Sequence, residues 1–242
     1  MKTINFSLVL FLLVLGTSCS KDNDNDPPAP TSANVSGSVN LFDEGVTEID
    51  NSNMTVSVEG TSISATTNAS GQYTLSNVPF GTITLVYEKN GYGTFKRFNV
   101  DHSGGDTFIP ETPSLGQVST TSITNLTATD NGTDITLGAT TDPAGNVGNT
   151  RYIRFFFSTQ ASVSNTNFEA VLETLPAQIN PRNLNLTNAS LVALGFSSGQ
   201  TVYARCYGES FWSNQYDDPT SGTTIFPNLN PNAATAVSFV VP

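Results

Sequence analysis

The sequence predicts an all-β fold: two tandem β-sandwich domains following a signal peptide and a disordered tether. Three observations predict it. Apolar and polar residues alternate with period 2 in several stretches, as at Tyr73, Leu75 and again at Ile83, Leu85, Tyr87, the pattern of strands with one buried and one wet face. Clusters of Gly, Pro and Asn stand between these stretches and supply the φ values that turns require. Helical periodicity is scarce, and only the short stretch 167–173 reads as a helix. The chain without its leader is long enough for two sandwiches of ordinary size.

At the N-terminus, Lys2 precedes an apolar run over 6–15 interrupted only by Ser7. A membrane span needs about 20 apolar residues, so residues 1–18 read as a secretory signal. The sequence Leu15-Gly16-Thr17-Ser18-Cys19 resembles a lipobox, although Leu15 stands one place further from the cysteine than usual, with Gly16 in its slot. The resemblance implies a diacylated Cys19 at the head of the mature chain, anchored in outer-membrane lipid. Cleavage by an ordinary signal peptidase, leaving a soluble protein, is the alternative. Residues 19–32 hold Asp22, Asp24, Asp26, Pro27, Pro28 and Pro30. Their charge and proline prevent burial of enough apolar surface to offset ordering, so they form a tether. Acidic residues directly after the cysteine resemble the export signal of Bacteroidota-type surface lipoproteins, which implies an anchor facing the cell exterior; a periplasm-facing anchor is the alternative. The Asp–Asn alternation lacks the Gly and bidentate Glu of a calcium loop.

In the first domain, 33–110, strands are expected at 35–39, 56–60, 73–76, 82–87 and 94–100, with turns at 68–71 and 77–81. These strands and turns resemble the carboxypeptidase regulatory-like domain, a transthyretin-like β-sandwich found in bacterial surface proteins. The resemblance implies a scaffold without catalysis, in which Gly71, Tyr73, Pro79 and Gly81 are structural. His102, the one histidine, lies in a Gly-rich stretch between Asp101 and Asp106 and reads as a solvated loop residue rather than a metal ligand. Residues 111–116 open on Glu111-Thr112-Pro113 and read as a short stiff linker.

The second domain, 117–242, begins with strands at 123–129 and 134–139. The Asn131-Gly132 pair between them predicts a type I′ hairpin. Residues 151–158, with Phe155, Phe156 and Phe157, form the most apolar strand and the expected centre of this core. Residues 194–207 resemble the fibronectin type III pattern around its tyrosine corner, which assigns that structural role to Tyr203. The Trp usual in the second strand is replaced by Leu137-Gly138-Ala139, and the insert 163–188 is long. Such a domain is a spacer or a binding module.

Acidic residues outnumber basic ones 20 to 9; without Lys2 the balance is 8 − 20 = −12. A surface of this sign excludes nucleic acid, whose phosphates need Lys and Arg. Cys19 and Cys206 are the only cysteines, so a lipidated Cys19 leaves no intramolecular disulfide. One histidine, no nucleophile elbow and no paired-ligand spacing exclude the common catalytic and metal motifs. No enzyme, cofactor or metal is expected. The stretch 208–219 stands out because Phe211, Trp212 and Tyr216 are interleaved with Asn214 and Gln215. An aromatic face with amides beside it suits a sugar ring, and such residues also anchor protein contacts. The competing reading has Phe211 and Trp212 plugging the end of the core. The sequence thus leads to a lipid-anchored, non-catalytic accessory protein whose partner is a polysaccharide or another surface protein. A spacer or a subunit of a fimbria-like assembly is the alternative, and a hydrolase built on two carboxylates is the third.

Overall fold

The chain's computed structural model describes residues 29–242, and everything from Thr31 to Pro242 belongs to one compact unit. The leader, Cys19 and the tether as far as residue 28 lie outside the described residues.

The first sandwich is built from β1 (Ser32–Ser38), β2 (Asn40–Phe42), β3 (Thr55–Val58), β4 (Ser64–Thr66), β5 (Gln72–Pro79), β6 (Gly81–Glu88), β7 (Phe95–His102), β8 (Thr107–Phe108) and β9 (Ser114–Gly116). One sheet runs β5-β1-β8, a second β4-β3-β6-β7, and β2 pairs with β9 in parallel. Val35, Val56, Leu75 and Leu85 are fully buried between the sheets. Tyr73 and Tyr87 meet there with their oxygens 2.8 Å apart, which satisfies two phenols that burial would otherwise leave unpaired.

Several expectations for this half need correction. The tether ends one residue early, because Ser32 already pairs with Pro79. The stretch 77–81 is no simple turn. Asn77 adopts φ +55° at an irregularity of the β1–β5 register, and Pro79 closes β5. An edge strand tolerates the missing N–H of proline. Phe80 and Gly81 then carry the chain from one sheet to the other. Gly71 lies in the expected turn at φ +75°, where an added Cβ would meet the Val39 carbonyl at 2.0 Å. His102 is fully buried at the end of β7, its Nδ1 2.7 Å from the Thr107 hydroxyl and its Nε2 3.0 Å from the Val78 carbonyl. The second half of the expected linker at 111–116 is strand: β9 completes the first sandwich and Leu115 joins its core.

The second sandwich contains β10 (Ser122–Asp130), β11 (Asp134–Asp142), β12 (Arg151–Ser158), β13 (Ala170–Val171), β14 (Leu175–Ala177), β15 (Arg182–Thr187), the helix α1 (Asn188–Ala193), β16 (Thr201–Glu209), β17 (Tyr216–Asp218), β18 (Thr223–Ile225) and β19 (Val237–Val240). The sheet β10-β11-β15 faces the sheet β13-β12-β16-β19, in which β14 also borders β12. The short ribbon β17–β18 stands apart. The β10–β11 hairpin forms as expected, but only Gly132 has a left-handed φ, +86°. A type I′ turn needs two such residues, so the turn has the φ signs of type II′. No helix forms at 167–173; Ala170 and Val171 pair with Phe157 and Phe156. The helix lies instead at α1, where the Thr187 hydroxyl accepts from the Ser190 N–H, a satisfied N-cap.

Phe155 and Phe157 enter the core between the sheets, while Phe156 faces the opposite way into a second cluster with Tyr207 and Phe226. Two buried faces explain an apolar run without alternation. On that outer face Arg154 and Glu209 are both buried, with Nε and Oε2 3.0 Å apart. Arg154 also donates to the Leu172 carbonyl and the Thr174 hydroxyl.

Candidate functional site

The stretch singled out in the sequence is the seam between the two sandwiches. After β16 the chain turns toward the first sandwich. The Phe211 N–H donates to the Glu44 carbonyl at 2.9 Å, and the Ser210 hydroxyl donates to the Gln117 carbonyl. Trp212 lies on Phe42 with ring centres 5.0 Å apart, and its indole N–H is closed off from solvent. Phe211 packs edge-on against Tyr152 and keeps 43% of its surface.

Asn214, only 5% exposed, forms the middle of the seam. Its Oδ1 accepts from the Gly116 N–H at 2.8 Å, and its Nδ2 faces the carbonyls of Gly116 and Gly93 at 3.0 and 3.3 Å. Asn228 completes the arrangement. It accepts from the Gly93 N–H at 2.9 Å and donates to the carbonyls of Gly116 and Trp212. The two amides are themselves 3.1 Å apart. Two side chains of the second sandwich thus satisfy buried backbone groups of the first, where an unpaired group would be costly. Close approach demands glycine here: a Cβ on Gly93 would meet the Pro227 carbonyl at 2.4 Å, and one on Gly116 the Trp212 carbonyl at 2.6 Å.

Beside this seam, Glu44 reaches across to Arg151 at 2.8 Å and accepts both the N–H and the hydroxyl of Thr120. Arg151 Nε holds the Thr121 hydroxyl at 2.7 Å. The true connection between the sandwiches, around 117–121, is fastened from both sides. On the other flank Tyr216 packs against Phe95 and Phe98 of β7.

These contacts correct the reading of 211–216 as one sugar-facing loop. Trp212 and Asn214 point into the seam, Tyr216 is half-buried against β7, and only Phe211 and Gln215 are exposed. The plug reading is closer, but what is plugged is the space between the domains. Tyr203 also departs from its assigned role. Val202, Ala204 and Cys206 face the inner core, so Tyr203, one residue out of phase, lies on the outer face with Tyr207. The corner before β16 is held by Gln200, which accepts from the Ser197 N–H, and by the Gly199 N–H bonded to the Val241 carbonyl.

A solvent-open groove of about 350 Å³ lies between β7 and the β17–β18 ribbon. Phe98 and Asn99 form one wall; Asp217, Asp218, Thr223 and Thr224 form the other. A second groove of about 330 Å³ shares Thr223 and Thr224 and continues to Asn167 and Phe168. The Thr220 N–H holds the Asp218 carboxyl below the usual carboxylate range. Asp217 accepts from the Thr224 hydroxyl at 2.6 Å. Asp217 and Asp218 belong to the stretch the sequence marked out, whereas Phe98 and Phe168 carry no mark that separates them from other strand aromatics.

Residues 35–109, which make up most of the first sandwich, match the carboxypeptidase regulatory-like domain. No curated protein matches the chain. Among solved structures, a candidate carbohydrate-binding protein from Bacteroides uniformis is similar at 17% identity, covering 86% of this chain and 99% of its own, with a TM-score of 0.32. A DUF3823 family protein from Bacteroides ovatus is similar at 16% identity over 87% of this chain and 100% of its own, with a TM-score of 0.30. A chain of a type II cohesin–X-dockerin complex from Acetivibrio cellulolyticus aligns at 26% identity over 36% of this chain and 58% of its own, with a TM-score of 0.31.

Proposed function

We propose that this chain is a lipid-anchored, non-catalytic protein of the cell surface that works by binding, its two sandwiches presenting one continuous surface. The observation that carries this reading is the seam. Buried amides from Asn214 and Asn228 tie the second sandwich to backbone of the first, so a face spanning both keeps its shape. Domains joined by a free linker move relative to one another by default; here the connection is bonded on both sides. Glu209, whose carboxyl is pushed up by burial, is 1% exposed and paired with Arg154 in the interior. The anchor is Cys19 and the display comes from the acidic tether. The test is labelling of cells making the full chain with an alkyne fatty acid, followed by protease added to intact cells. Label on the wild type but not on Cys19→Ser, with loss of the protein to protease, is the expected result. An unlabelled or fully protected protein would sink the reading.

A further inference from the structure

We propose that the groove between β7 and the β17–β18 ribbon binds a neutral polysaccharide, and that the polymer crosses the ribbon to the second groove beside Phe168. This inference rests on the reading of the chain as a surface binding protein and names its ligand class.

The chemistry of the walls selects the ligand. Phe98, half-buried with the Tyr216 ring 5.9 Å away, lines the groove with apolar surface of the kind that suits the apolar side of a sugar ring. Asp217, Asp218 and Asn99 on the surrounding rim supply acceptors for hydroxyl groups. Two carboxylates, one of them held ionised well below neutrality, repel uronate or sulfate, and the chain's net charge of −11 acts in the same direction. Lys96, whose ammonium lies 6.0 Å from the centre of the Phe98 ring, is already paired with Glu59. The ligand is therefore uncharged. Its length follows from the second groove: Thr223 and Thr224 belong to both, and each groove carries one half-buried phenylalanine, Phe98 or Phe168. A single sugar fills one groove, while a chain reaches both.

The test is affinity electrophoresis of the full chain, purified in detergent, through gels containing galactomannan, xyloglucan, mixed-linkage β-glucan or amylopectin, with polygalacturonate as the acidic comparison. Retardation by at least one neutral polymer and none by polygalacturonate is expected. Phe98→Ala should weaken retention at least tenfold. Thr223→Arg, an exposed position that obstructs both grooves, should do the same without a change in melting temperature, so a folding defect at Phe98 cannot obscure the outcome. Absence of retardation by every neutral polymer, equal retardation by polygalacturonate, or unchanged binding by Thr223→Arg would overturn the inference. A protein that is labelled and shaved from cells yet retarded by no polymer would refute the glycan groove and leave the surface reading intact.

Discussion

Asn214 allows the seam to be tested by a graded series. In Asn214→Ala the buried Gly116 N–H loses its acceptor and the Gly93 carbonyl loses its longer 3.3 Å bond, whereas the Gly116 carbonyl keeps Asn228 Nδ2 and Asn228 Oδ1 keeps the Gly93 N–H. One orphaned buried donor costs about 1–3 kcal/mol. Asn214 also sits at φ +54°, where a residue without the asparagine side chain adds about 1 kcal/mol. The sum is about 2–4 kcal/mol, a fall in Tm on the order of 10 °C for a unit of this size. Asn214→Gly removes the backbone part and should recover about 1 kcal/mol of it. Asn214→Asp keeps an acceptor for Gly116 but turns a carboxylate oxygen toward the Gly93 and Gly116 carbonyls and buries a charge. It should be the least stable of the three. Calorimetry of the full chain reads the order Gly above Ala above Asp. An Ala variant within about 0.5 kcal/mol of wild type, or an Asp variant as stable as wild type, would refute the account of the seam.

Three further outcomes are expected. Burial pushes the Glu209 carboxyl up to about 7 from 4.5, with Arg154 opposing. Between those values the folded state holds a proton that the unfolded chain has released, so stability should rise as pH falls from 7 to 4.5; Glu209→Gln should flatten that slope in urea titrations. Gly116→Ala drives a Cβ to 2.6 Å from the Trp212 carbonyl, with backbone on both sides of the clash, and should cost about 1–3 kcal/mol in the same titrations. Tyr203→Phe should change stability by less than about 0.5 kcal/mol, whereas a larger loss would restore its assignment as a tyrosine corner.

The strands with one wet face were legible because Tyr73, Leu75, Ile83 and Leu85 alternate as the pleat does. Legibility failed where both faces are covered. Phe168, Val171 and Leu172 stand at helical spacing, yet Phe168 and Val171 pack on the outer cluster while Leu172 packs on the inner core. A segment buried on two sides produces the same apolar spacing as a helix buried on one. His102 was misplaced for a related reason: the Gly-rich sequence after it marks a loop, but the ring points back into the first sandwich toward Val78. The aromatic stretch 211–216 was legible as unusual, and its destination was not. Asn214's partners Gly116 and Gly93 lie 98 and 121 positions away in the chain, and no local pattern encodes contacts of that range.

The seam and the groove depend on one another physically. The walls of the groove come from β7 of the first sandwich and from β17 and β18 of the second, so its width is set by how firmly the sandwiches are held. Among the described residues no disulfide serves, since Cys206 is buried within one core and unpaired. Apolar burial alone is non-directional and would fix contact without fixing register. Amide side chains aimed at backbone N–H and carbonyl groups are directional, and glycines at Gly93 and Gly116 let the two backbones approach closely enough for those bonds to form. Tyr216 joins the two features directly, because the residue next to it in β17 lines the groove while its own ring packs on Phe98. Of the residues that the sequence makes conspicuous, Trp212, Asn214 and Tyr216 therefore lie behind the groove and hold the geometry of Phe98, Asp217 and Asp218.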